Sequence, residues 1–429
     1  MEKLIFRLAL LYFLSLLFFG WGYGAARFRF FPAYYIEPYI EELKWFIDQS
    51  NRESITELVK FDHQERPSQF DFRGFKVIDQ GFEDDGYLLI SRYSKSFSQT
   101  VVELIEIRTQ NTVHRWVPDL DAIFSMTPRN AGGINTRMAY RSQHPMLLPN
   151  GDLIIGSGEG PLVRIDPCGK PRWAIDRHFH HSIEMDSEGT IIAPIVTGEG
   201  IDKSGIEVRD EGVALVSQDG RLLAEYSLSQ LLLDNGFRGL IYGVGIFEKD
   251  RYHLNDAQPL VSKTAAAGIL LSVRNLSSTA LFRPGTGKIE WFHTGPWLNQ
   301  HDIEDLGNGY YSLFGNDLVR GPEKIIGKGH SEIYIFDPTT GDIQTPYSSV
   351  LEKTKMHSGY EGRVKILGNG DAFIEETNRD RILRVSPNGV RWEYVNGITE
   401  NTTGALHWSR YLNRNEINRD WLEKLPCDR

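Results

Sequence analysis

The stretch NQHDIEDLGNGYYSLFGND, residues 299–317, reads as strand, turn, strand. Asn308 and Gly309 make the turn, because both tolerate positive φ and Asn-Gly is the strongest short-range hairpin signal. His301 is harder to place: neither core packing nor turn chemistry asks for a histidine at the mouth of a hairpin. The same module recurs as DQGFEDDGYLLISR (79–92), HPMLLPNGDLIIGSG (144–158), HSIEMDSEGTIIAPI (181–195) and GRVKILGNGDAFIEE (362–376). A second module follows each: a strand, a turn, and a strand ending in an aromatic residue. Its six copies are ELIEIRTQNTVHRW, LVRIDPCGKPRW, ALVSQDGRLLAEY, LFRPGTGKIEWF, IYIFDPTTGDIQTPY and ILRVSPNGVRWEY. The partner of the fourth copy is YHLNDAQPLVSKTAAAGILLSVR (252–274), a hairpin with a divergent turn.

Two modules make a four-stranded unit, and units repeating at roughly 40–65 residues match propeller blades with insertions. The expected fold is therefore an all-β, six-bladed β-propeller. Trp116, Trp173, Tyr226, Trp291 and Trp392 fall in equivalent strands and are expected to pack between blades. A pair of β-sandwiches would not need this two-module period. The segment GALHWSRYLNRNEINRDWL after the sixth unit either closes the ring or covers it.

The rest of the chain sets the context. Of 429 residues, 41% are apolar and 12% aromatic, with 41 glycines, which favours short strands and tight turns over helix bundles. A net charge of −10 argues against nucleic acid or a polybasic membrane surface as partner. Residues 8–26 carry no charge and approach the length of a bilayer span, with Arg27, Arg29 and the aromatics Phe28, Phe30, Phe31, Tyr34 and Tyr35 behind them. A cleaved signal peptide ending near Gly24 or Ala26 is one reading. An uncleaved anchor is the favoured one, with the body on the periplasmic side of the inner membrane. The division is then 1–37 as a transmembrane segment with interfacial aromatics, 38–69 as a helical stalk or linker, and 70–429 as the propeller with its closing segment. The helical spacing of Leu43, Phe46, Ile47, Ile55, Leu58 and Val59 carries the stalk. Two cysteines, Cys168 and Cys427, are free to pair in an oxidising compartment, but the sequence does not set their distance.

His144, His181, His253 and His301 each open the first strand of a unit. In a propeller the innermost strands run along the central channel, so these histidines converge at one end of it, with Arg274 near. An imidazole can attack an electrophile or move a proton near neutral pH. The guanidinium fork suits a tetrahedral oxyanion. Together they suit sulfuryl or phosphoryl transfer. Taken singly, a histidine at a strand start is an ordinary capping residue, and four could be a repeat consensus. HFHH (178–181) also allows a zinc site, since His178 and His180 share a strand face, but no thiolates or HExxH-type helix support it. Arg141, Asp302, His357 and Glu361 are further candidates on the same loops. Asp302 would orient an imidazole or simply serve the turn.

From about His144 to Tyr394 the chain resembles the bacterial arylsulfotransferases, which are six-bladed propellers. HFHHSIEMDSEG is similar to the His-His pair opening one blade of that family. YHLNDAQ is similar to its His-x-Asn opening, LLSVRNLSS to its Ser-Arg strand end, and NQHDIEDLGNG to its Gln-His opening, in family order. The resemblance implies a cofactor-free sulfotransferase that moves a sulfuryl group from an aryl sulfate to a phenol. His301 would be the nucleophile, transiently sulfated in a ping-pong cycle. Arg274 and His253 would hold sulfuryl oxygens, and His181, or its neighbour His180, would manage the phenolic proton. His180, His144, Asp302 and Glu361 would complete the substrate site. The family's large periplasmic members carry a separate N-terminal β domain that mediates dimer formation; here an anchor and helix are expected before the propeller, so the oligomeric state stays open. The alternatives are a non-enzymatic envelope propeller acting as a scaffold and a quinone-dependent dehydrogenase. The latter normally uses eight blades and tryptophan-docking repeats, and neither is present.

Overall fold

The computed structural model describes residues 12–21, 23, 65–128, 137, 140–201, 207–243, 249–261, 263–320, 325–327, 330–417 and 427. The chain divides into two compact units, Met1–Asp62 and His63–Arg429. In the first, residues 12–21 are helical. No helix among the described residues is long and apolar enough to cross a membrane. This corrects the expected anchor and the single-pass inner-membrane location drawn from it: a run of uncharged residues fixes composition, not the length of a helix. Residues 38–64 of the expected stalk lie outside the described residues; at its end Arg66–Pro67 form a short strand paired with Thr402–Thr403 rather than helix.

The second unit is all-β and propeller-like. Sheet I holds Tyr87–Ser94, Gln99–Glu106 and Asn111–Trp116 in sequence, with Arg410–Leu412 added beside Tyr87–Ser94. Sheet III holds Leu254–Pro259, Ile269–Val273, Ser278–Arg283 and Lys288–Thr294. Sheet IV holds His301–Asp305, Tyr311–Gly315, Glu332–Phe336 and Ile343–Gln344. Sheet V runs from Arg363–Ile366 through Ala372–Glu376 and Arg381–Ser386 to Gly389–Val395, with Gly74–Val77 outside. These four have the four- or five-stranded form of a blade. Between I and III lies sheet II, one eight-stranded sheet from Gln143–Leu147 to Leu222–Ser227. Six discrete blades are thus not what the pairing contains. Strand Pro171–His180 runs ten residues, well past the aromatic Trp173 where the module was expected to end, and Phe179 pairs with Ile195 of the next unit. That pairing fuses the expected second and third units.

The expected turns and aromatic packing explain the core. Gly151, Gly189, Gly309 and Gly370 take the positive φ that each hairpin needs. Gly169 in the DPCG turn is more constrained: its φ is +84° and a Cβ would lie 1.9 Å from the carbonyl oxygen of Val117. Apolar clusters lie between neighbouring sheets. Trp116 packs with Leu153 and Val163, Phe282 with Ile192 and Val213, and Trp297 with Leu313. Phe314 packs with Val364 and Ile374, and Trp392 with Leu88 and Ile90. The last pair returns from sheet V to sheet I, so the packing forms a closed circuit. The C-terminal strand Arg410–Leu412 pairs with Leu89, Leu88 and Tyr87, so the terminal segment closes the circuit rather than covering it. Cys168 and Cys427 form a disulfide.

Candidate functional site

The strands that open each unit begin on strained backbone. His144, His181, His253, Asp302, Glu361 and Trp408 all have φ between 51° and 62°. A non-glycine residue in the left-handed region costs of order 1 kcal/mol or more and persists only where the surroundings hold it. What holds it is a series of hand-offs to the next opening strand. Ile183 N–H donates to His144 Nδ1, Ala257 N–H to Ser182 Oγ, Ile303 N–H to Asp256 Oδ2, and Val364 N–H to Asp302 Oδ2, at 2.7–3.1 Å. Arg410 Nε closes the series on the Pro145 carbonyl.

These hand-offs sort the candidates. His144 is fully buried, faces Arg410 and lies 4.7 Å from Trp408, ring to ring, at a tilt of 48°. Asp302 is fully buried between Val364 N–H and the Arg363 guanidinium, and burial holds its carboxyl well above the usual range. The described contacts of both belong to this axial scaffold, not to an imidazole cluster. His357 lines a groove of 440 Å³ with Arg66, Tyr360 and Arg379. Arg141 reaches 3.7 Å from the Glu361 carboxylate.

His181, His253, Arg274 and His301 do converge. The Arg274 N–H donates to the His253 carbonyl at 3.0 Å, so the insertion VSKTAAAG leaves the two residues side by side. His181 Nε2 lies 3.2 Å from His253 Nε2, and its ring is 6.4 Å from that of His301. His301 is fully buried. Burial first, then the charges of His253, His180, His301 and Arg274, hold His181 well below the ordinary imidazole value. Burial likewise lowers His253, although Asp250 opposes it. His181 and His253 are therefore neutral near pH 7, with the Arg274 cation beside them. His180 sits behind His181, Nδ1 to Nδ1 at 2.8 Å.

Three residues at this cluster were not among the candidates. Asn316 Oδ1 lies 2.6 Å from His301 Nδ1, while its amide group donates to the carbonyls of Ser358 (2.9 Å) and Glu361 (2.7 Å). Those carbonyls fix the amide's orientation, so Oδ1 must accept and His301 Nδ1 must carry the proton. The Glu361 N–H donates to His301 Nε2 at 3.2 Å, which gives the same tautomer. The lone pair is thus on Nε2. Asp250 holds His253 Nδ1 at 2.6 Å, and Glu211 lies 3.7 Å from His180 Nε2. Asn316 does fall inside the opening stretch, immediately after its second strand. Glu211 gives no signal in sequence beyond being a charged residue in a strand.

No metal site is assigned. Glu211, Asp250 and His253 bring ligand-type atoms within 4.8 Å of one another. But Arg209 Nε is 3.1 Å from Glu211, where it competes with a cation, and Asp250 is spent on His253. The zinc pair read from HFHH is not assembled: His178 faces Glu159, and His180 faces His181 and Glu211.

Comparison with solved structures returns matches at low similarity. A protein of unknown function from Bacteroides caccae is 11% identical, with 75% of this chain and 99% of that chain covered and a TM-score of 0.47. Virginiamycin B lyase from Staphylococcus aureus is 12% identical over 80% and 98%, TM-score 0.42. The Pan2 WD40 domain of Neurospora crassa is 10% identical over 81% and 97%, TM-score 0.41. Likenesses this distant carry nothing about chemistry. A search of curated proteins finds no match. Residues 144–397, more than half the chain and spanning the histidine cluster, match the profile of the family described as Arylsulfotransferase (ASST). The chain belongs to the arylsulfotransferase family.

Proposed function

We propose that this protein transfers a sulfuryl group from an aryl sulfate to a phenol through a sulfated His301. The observation that carries the reading is the fixed tautomer: Asn316 holds the proton on Nδ1 and leaves the lone pair on Nε2, where at rest it accepts from the Glu361 N–H. In the first half-reaction Nε2 attacks the sulfur, the sulfur–oxygen ester bond breaks, and the phenolate leaves with a proton from His181. In the second, an acceptor phenol attacks the sulfur, returns its proton to His181 and releases His301. Arg274, its charge bearing on His181 and His253, offers its fork to the sulfuryl oxygens. The Glu361 N–H occupies Nε2 at rest, at the long end of hydrogen-bond range, so attack requires that bond to open. The reading needs no metal or cofactor. The test is phenol release from a chromogenic aryl sulfate with a phenol acceptor, comparing wild type with His301→Ala. Equal rates, or no turnover across a broad donor panel, would favour the scaffold alternative.

A further inference from the structure

Five side chains at the cluster form a single line. Asp250 Oδ2 is 2.6 Å from His253 Nδ1, His253 Nε2 is 3.2 Å from His181 Nε2, His181 Nδ1 is 2.8 Å from His180 Nδ1, and His180 Nε2 is 3.7 Å from Glu211 Oε1. His253 and His181 use both nitrogens, and His180 uses Nδ1. The line therefore has one self-consistent proton assignment when Asp250 is ionised. His253 donates from Nδ1 to Asp250, His181 donates from Nε2 to His253, and His180 donates from Nδ1 to His181. That leaves a lone pair on His180 Nε2. Glu211 Oε1 and His180 Nε2 are both buried and make no hydrogen bond, although Arg209 Nε pairs with Oε1 at 3.1 Å and the Leu254 N–H donates to Oε2. The gap between them is about half an ångström beyond hydrogen-bond reach, closed by a small carboxyl rotation.

We propose that these residues are a proton relay serving the reacting oxygen, with Glu211 as its reservoir. This rests on the sulfotransferase reading above. As the donor's phenolate leaves, His181 gives it the Nε2 proton. His180 passes its Nδ1 proton to His181 Nδ1, and Glu211 passes its carboxyl proton to His180 Nε2. The sum is one proton moved from Glu211 to the phenolate, and the negative charge moves to a carboxylate 3.1 Å from Arg209 Nε. The acceptor phenol reverses each step. The groups facing Glu211 are Arg209, Asp250, Glu159 and His180; those facing His180 include His178 as well. Burial first, and then Asp250, push Glu211 up to about 8, so it holds its proton at neutral pH despite Arg209. Asp250 is a positioning residue that fixes the direction of the line.

The test is the burst of phenol released by enzyme with donor alone, for phenyl sulfate and 4-nitrophenyl sulfate, in wild type and Glu211→Gln. A nitrophenolate leaves without help, and an unsubstituted phenolate needs the proton. The ratio of the phenyl to the nitrophenyl burst rate should fall at least about tenfold in the variant, within the range of general acid catalysis. A merely structural role would slow both donors alike, and an unchanged ratio overturns the relay. If wild type releases neither phenol, the sulfotransferase reading fails, and nitrogen NMR of labelled histidines decides the relay alone. His253 and His180 should then be Nδ1–H tautomers and His181 an Nε2–H tautomer. Any other set overturns the relay.

Discussion

Removing the Asn316 side chain should separate the nucleophile's chemistry from its location. Asn316 is fully buried and makes three hydrogen bonds, of 2.6, 2.9 and 2.7 Å. At about 1 kcal/mol net each, Asn316→Ala should cost about 3 kcal/mol of stability, within what a domain stable by about 5–15 kcal/mol can lose. The catalytic cost should be larger. Without Oδ1, only the 3.2 Å bond from the Glu361 N–H still favours the proton on Nδ1, and the Nε2–H tautomer, which leaves no lone pair there, becomes accessible. A bias of about 1.4 kcal/mol between tautomers is worth tenfold, and a catalytic histidine in the wrong tautomer loses about 10⁴-fold. We expect kcat to fall about 10²–10⁴-fold, with a much smaller change in KM. Asn316→Asp keeps an acceptor for Nδ1–H but loses both donors to the Ser358 and Glu361 carbonyls. It should be no more stable than Asn316→Ala yet markedly more active. The assay is steady-state turnover of an aryl sulfate with phenol, on protein checked for folding by thermal melt. A folded Asn316→Ala with kcat within about threefold of wild type would refute the tautomer argument.

Arg274→Lys keeps the charge but loses the planar fork, and should lower kcat/KM by about 10²–10³-fold; equal kinetics would remove Arg274 from the reacting group. Cys427→Ser opens the bond to Cys168 across 259 residues and should destabilise the protein by about 2–5 kcal/mol, read as a lower melting temperature that reductant imposes on wild type but not on the variant. Glu211 titrates at about 8 when folded against an ordinary 4.5. Between those values the unfolded chain has released the proton that the folded one keeps, so stability falls as pH rises. Glu211→Gln removes that slope and should gain on wild type by about 1 kcal/mol per pH unit between about pH 5.5 and 7.5; a parallel pair of stability curves would mean Glu211 is ionised in the folded protein.

The legible parts of the fold were those written in local chemistry. Asn150-Gly151, Asn308-Gly309 and Asn369-Gly370 mark hairpins because the turn needs positive φ there, and Trp116 and Trp392 mark outer strands because they pack on the next sheet. Continuous pairing was not legible. That Phe179 would meet Ile195 depends on how far two strands run beyond their modules, which no turn residue reports. The three-residue strand Arg410–Leu412 is too short for any periodicity, and only sheet I's open edge explains it. At the site, His181, His253, Arg274 and His301 were found together because each opens or ends a repeat module. Asn316, Asp250 and Glu211 act on them through side-chain contacts that sequence spacing does not encode. His144 and Asp302 occupy the same repeat position yet belong to the axial hand-offs, because the same left-handed start serves scaffold and cluster alike.

The central claim is that His301 Nε2 carries the sulfuryl group between two half-reactions. The most direct measurement is mass analysis of peptides from enzyme quenched after exposure to an aryl sulfate without acceptor. One sulfuryl group should appear on the peptide holding His301, vanish when phenol is added before the quench, and be missing in His301→Ala. Phenol release from the donor with no mass increment on that peptide, or an increment that survives in His301→Ala, would contradict the account.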